Sequence, residues 1–172
     1  MARRGWLFFC LPALLAAGPS ASPVQALAGR YGAHFKNGTV DGSTYWSDDV
    51  LEIVPVDARH AYFRLELNFF NGHACTLSGV AGARGRALDY VSAGPAWDGR
   101  MCRLSLYRSG DKVRMDDHDG SCQASCGWRG GYAGAALPWR SKRPITYMAR
   151  LKSSTEYREA LTAWRGDRGA RP

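Results

Sequence analysis

The chain lacks a Gly-x-Ser-x-Gly elbow, any Cys-x2-Cys pair, and the far-end Glu that would complete an EF-hand loop. Their absence removes the sequence marks of an α/β-hydrolase nucleophile, a zinc site and an EF-hand. Only four histidines are present, His34, His60, His73 and His118, and no internal repeat is found. Before residue 150 no apolar periodicity of helical length occurs. That disfavours a βαβ fold, in which strands alternate with helical stretches. The one long apolar run, Trp6 to Ala17, falls short of the roughly 20 residues that a bilayer span needs.

That run does match a secretory signal. Arg3 and Arg4 precede it, a helix-breaking stretch from Gly18 to Pro23 follows, and Val24-Gln25-Ala26 offers small residues for a peptidase. Residues 1–26 are therefore expected to be a signal peptide cleaved near Ala26. Cleavage there leaves 146 residues, suited to one domain. The expected location is periplasmic or secreted, with no integral membrane segment.

Charge is unevenly placed. From Leu27 to Pro138 twelve Lys and Arg face twelve Asp and Glu, whereas from Trp139 to Pro172 nine basic residues face three acidic ones. A basic segment of this kind favours polyanions or serves as a solvated tail. Nucleic acid is the least expected polyanion for an exported chain.

Four cysteines remain after cleavage: Cys75, Cys102, Cys122 and Cys126. An even number in an exported chain reads as two disulfides with three connectivities. Cys75–Cys102 and Cys122–Cys126 is the favoured pairing, the first tying neighbouring strands and the second a tight loop.

The strongest structural signal is the alternation from His60 to Asn71. Phe63, Leu65, Leu67 and Phe69 occupy one face; Tyr62, Arg64, Glu66, Asn68 and Phe70 occupy the other, which is largely polar. Asn71-Gly72 then marks a hairpin turn before Cys75. Similar short runs hold Leu51 and Ile53, Leu104 and Leu106, and Val113 and Met115, with Ser109-Gly110-Asp111 and Asp119-Gly120 as turns. The expected fold is mostly β, a small antiparallel barrel or sandwich over residues 27–152. Ser153 and Glu156 form a capping-box pattern, and Tyr157, Leu161 and Trp164 share one helical face. A C-terminal helix is expected over 153–165, packed on the barrel or closing one end, with a frayed basic tail over 166–172.

Two segments carry candidate chemistry. Asp116, Asp117, His118 and Asp119 gather before Gly120, but a hairpin turn demands the same residues for backbone reasons. No metal and no cofactor are expected. The stretch from Cys126 to Gly134 joins glycines to Trp128, Arg129 and Tyr132. These three are the expected binding contacts, the aromatics stacking on a flat ligand face and Arg129 gripping a carboxylate or phosphate. The alternative is a Gly-rich corner whose aromatics fill the core. Asn37-Gly38-Thr39 is a formal glycosylation sequon and equally a turn.

The strings Asn71 to Ala81, Cys102 to Leu106, and Cys122-x3-Cys126-Gly127-Trp128-Arg129-Gly130 resemble small exported proteins of Gram-negative bacteria, some of them lysozyme-inhibitor-like. The resemblance covers roughly residues 60 to 135. It implies an envelope location and a compact β domain, and it carries across no catalytic residue. Gly29-Arg30-Tyr31 also resembles the Gly-x-Trp at the start of lipocalin-type barrels, with Tyr in place of Trp.

The expected function is an exported, non-enzymatic binding protein of the bacterial envelope. Its partner is left open among an anionic polymer, a glycan, a small hydrophobic ligand and a protein. An inhibitor of lysozyme or another hydrolase and an envelope enzyme are the alternatives.

Overall fold

The computed structural model describes residues 21–127 and 129–170, with backbone alone for 168–170. Eight strands form one antiparallel sheet in sequence order: β1 (Gly29–Gly38), β2 (Thr44–Pro55), β3 (His60–Asn68), β4 (Ala74–Arg84), β5 (Ala87–Val91), β6 (Arg103–Ser109), β7 (Lys112–Asp116) and β8 (Ala136–Pro138). The sheet curls into a nearly closed up-and-down barrel. β8 is only three residues long, so the chain just beyond it finishes the closure. Arg30 and Arg143 exchange backbone N–H···O bonds of 2.9 and 2.8 Å, and the Gly32 N–H donates to Ser141 Oγ at 3.1 Å.

Alternation decides which side chains enter the barrel. Leu51 and Ile53 on β2, Phe63, Leu65 and Leu67 on β3, Leu104 and Leu106 on β6, and Val113 and Met115 on β7 join Tyr31 and Tyr132 in one buried cluster. Eight strands enclose a space that side chains alone can fill. The interior is a packed core.

The opposite face of β3 is not simply polar. Tyr62 is fully buried beneath Tyr157, with ring centroids 4.8 Å apart in an edge-on contact. Tyr157 belongs to α3 (Thr155–Ala170), which lies across the outside of β3 and β4. The expected helix is thus present and packs on the barrel wall. Its cap is Ser154 rather than Ser153: Ser154 Oγ accepts the Tyr157 N–H at 3.3 Å, so the helix starts one residue later. It also runs beyond 165 into the segment expected to fray.

Two short helices were not expected. α2 (Met148–Ser153) precedes α3 and sends Leu151 under it. α1 (Pro23–Leu27) has Pro at its first position and Ser22 as its cap, both favourable at a helix start. Val24 and Leu27 enter the core, and Tyr31 Oη donates to the Leu27 carbonyl at 2.9 Å. The boundary expected near Ala26 therefore falls inside a packed helix. The remainder of the expected signal peptide, residues 1–20, lies outside the described residues.

The disulfides correct the expected pairing. Cys75 is bonded to Cys126, and Cys102 to Cys122. β4 and β6 are not neighbours, since β5 stands between them, so Cys75 and Cys102 open two separated strands. A 3-10 turn over Gln123–Ser125 stands between Cys122 and Cys126, and each is bonded to a cysteine at a different strand.

Candidate functional site at the loop end of the barrel

An up-and-down barrel sends alternate connections to opposite ends. One end holds short turns at 56–59, 85–86 and 110–111, together with α1. The other holds the connections 39–43, 69–73, 92–102 and 117–135, including both disulfides. Binding residues concentrate on loops that a rigid scaffold positions.

The long connections are tied to one another. Val40 N–H donates to Asn71 Oδ1 at 3.3 Å and Gly72 N–H to Tyr45 Oη at 2.8 Å, joining the first two. Asn71 itself has φ 62°, the left-handed turn that Asn tolerates. Cys75–Cys126 ties the second to the fourth, and Cys102–Cys122 the third to the fourth. Arg100 donates to the carbonyls of Asp119 and Gly120 at 2.9 and 3.2 Å. These bonds hold His118 and Asp119 in positive φ, at 47° and 66°. The result is a fixed surface.

All five exposed large apolar side chains among the described residues lie at this end. Val40 (72%), Phe70 (53%) and Trp97 (81%) stand on the connections, while Trp46 (65%) and Val91 (39%) stand on strand ends beside them. Trp46 stacks on His34 with centroids 4.6 Å apart and planes 8° from parallel, and His34 Nδ1 lies 2.8 Å from Asp48 Oδ1. Beside Trp97 is an apolar hollow of about 300 Å³ lined by Leu77, Tyr90, Ala96, Ala124 and the Cys102–Cys122 disulfide. These side chains make this end the candidate surface.

Of the three expected contact residues, Tyr132 lies in the core. It is fully buried, its hydroxyl 2.7 Å from Ser125 Oγ, and burial pushes its pKa up to about 12. The core-filling alternative is the one that describes it. Arg129 is exposed on the fourth connection. Trp128 lies outside the described residues. Sequence reasoning passed over Val40, Trp46 and Trp97, and it placed Phe70 on the largely polar face of its strand without reading it as a contact; their only signal was an apolar residue in a polar, turn-rich stretch.

A polar cleft of about 290 Å³ lies lower on the wall, lined by Arg84, Asp89, Tyr90, Arg103, Ser105 and His118. Ser105 Oγ donates to Asp89 Oδ1 at 2.7 Å and lies 2.8 Å from His118 Nε2. Because Asp89 takes the hydroxyl proton, His118 supplies its Nε2–H to the serine oxygen. A hydrolytic serine needs the reverse: its proton given to the imidazole, and the acid on the far ring nitrogen. Here the serine bridges the acid and the imidazole. Among the described residues no three His, Cys, Asp or Glu side chains converge on a metal position.

The buried Glu52 carboxylate is structural. Glu52 is fully buried, with Arg64 Nη2 and Nε at 2.6 and 2.9 Å from Oε2, Arg30 Nε at 3.8 Å from Oε1, and the Tyr147 hydroxyl donating to Oε1. It pins the approach to α2 against the barrel wall.

No family model, no curated protein and no solved structure matches this chain.

Proposed function

We propose that this chain is an exported, non-enzymatic binding protein of the bacterial envelope that holds a macromolecular partner at its loop end. The observation that carries this reading is the gathering of Val40, Trp46, Phe70, Val91 and Trp97 at one cross-linked end of the barrel. The packed interior argues against a small hydrophobic ligand carried inside. Two disulfides suit an oxidising compartment. No helix among the described residues is long and apolar enough to cross a membrane.

The test compares the native chain with a Trp46→Ser, Phe70→Ser, Trp97→Ser variant, both purified after export. Each is immobilised and exposed to envelope proteins and glycans from the cells that make it. A partner retained stoichiometrically by the native chain and lost by the folded variant supports the reading. Equal retention by both moves the site elsewhere.

Inhibition of a hydrolase is the second reading, favoured by the seating of Trp97 in a turn closed by the Ala96 N–H, which donates to the Arg100 carbonyl at 2.9 Å. Arg100 grips the neighbouring loop and Cys102 is disulfide-bonded, so the side chain projects from a fixed base. Lysozyme activity measured with the protein at two salt concentrations addresses it directly. No inhibition at either removes lysozyme as the target.

A further inference from the structure

The short-turn end carries the opposite character. Arg86 lies on the β4–β5 turn, Arg108 and Lys112 flank the β6–β7 turn, and Arg140, Lys142 and Arg143 follow β8. Three segments separated in sequence thus bring six cations to one pole. Trp139 organises them: the Arg108 guanidinium lies 4.3 Å from its ring centroid and the Lys142 ammonium 5.0 Å, while Arg86 lines the same groove. Among the described residues none of the six has a carboxylate within ion-pair distance, whereas Arg30, Arg64 and Arg84 all do. Asp111 is the single acidic residue in these three segments; the 56–59 turn at the same end adds Arg59 and Asp57, whose carboxylate is taken by His60 Nδ1 at 2.9 Å. Partial burial, and then the Arg108 charge, lower the Lys142 pKa.

We propose that this pole docks on an anionic phospholipid surface, leaving the loop end facing away from the membrane toward its partner. Charge complementarity carries the assignment: cations without a carboxylate partner, spread over three segments at one end of the barrel, can meet many phosphates at once. Among the described residues no exposed large apolar side chain lies at this pole, so their contact is electrostatic. The inference is independent of the loop-end reading.

Each cation near such a surface strengthens binding about five-fold at low salt. The test is co-sedimentation of the exported, purified protein with vesicles of phosphatidylcholine alone or with 30% phosphatidylglycerol (~50 and ~300 mM salt). Binding is expected only to the anionic vesicles at low salt. The Arg86→Glu, Lys112→Glu, Arg140→Glu variant should lose it at least ten-fold. A matched Arg150→Glu, Lys152→Glu, Arg158→Glu variant, which alters α2 and α3 by the same charge, should keep most of it. Circular dichroism confirms that both variants fold. Equal loss in the two variants, binding to neutral vesicles, or no binding to anionic vesicles overturns the proposal. So does binding to soluble polyphosphate with none to vesicles.

Discussion

The ring of Tyr90 fills the space that a side chain at Gly79 would need: a Cβ at position 79 would lie 2.3 Å from Tyr90 Cε2. β4 and β5 pair only from Gly82 to Arg84, so below that point the two strands diverge and Tyr90 closes the gap. Its ring meets Phe63 edge-on, with centroids 5.1 Å apart.

Gly79→Ala should therefore destabilise the fold by about 1–3 kcal/mol through overpacking. Chemical denaturation measures it. In a double-mutant cycle, Tyr90→Ala should absorb much of that cost, because the clash partner is gone.

Breaking the Glu52 cluster should be more damaging. Arg64→Leu leaves a buried carboxylate with its nearest guanidinium removed, and a loss of about 3 kcal/mol is expected. Hydrogen exchange should quicken first in residues 147–160, which rest on that part of the wall.

Reduction should act on the loop end. In the chain-entropy account, loops of 51 and 20 residues contribute about 3–4 kcal/mol each to stability. Non-reducing digestion and mass spectrometry should recover Cys75 linked to Cys126 and Cys102 linked to Cys122. Removing Cys75 and Cys126 together should lower the midpoint of unfolding and loosen residues 117–135.

The buried tyrosines set the alkaline limit. Burial pushes Tyr62 and Tyr132 up to about 12 and Tyr31 higher still. Each ionises near pH 10 once unfolded, so the native state holds its protons more tightly. Their contribution is constant below about pH 10 and is lost as pH rises from 10 toward 12. A spectrophotometric titration should show these three lagging the exposed tyrosines, then ionising together with unfolding.

Much of the fold was legible because one barrel face is apolar and strand periodicity is two. Phe63, Leu65 and Leu67 announced β3, and Tyr157 announced the buried face of α3. What alternation cannot report is which strands stand side by side. The disulfide pairing failed on that point, since β5 separates the strands that Cys75 and Cys102 open. Glu52 reads as a solvent-facing residue until α2 and Tyr147 cover it. The cationic pole was half visible: Arg140, Lys142 and Arg143 stood out, but Arg86, Arg108 and Lys112 join them only when the sheet curls. At the candidate site, Trp97 was hidden by its Gly-rich loop, and Tyr132 looked like a contact because its glycines drew attention.

The central claim is that the loop end meets the partner. Photo-cross-linking residues placed singly at Phe70, Trp97 and, as a control, Lys152 on α2 test it in the producing cell. A discrete adduct from positions 70 and 97, absent from 152, is the predicted result. Adducts from 152 alone, or none from 70 and 97, would contradict it.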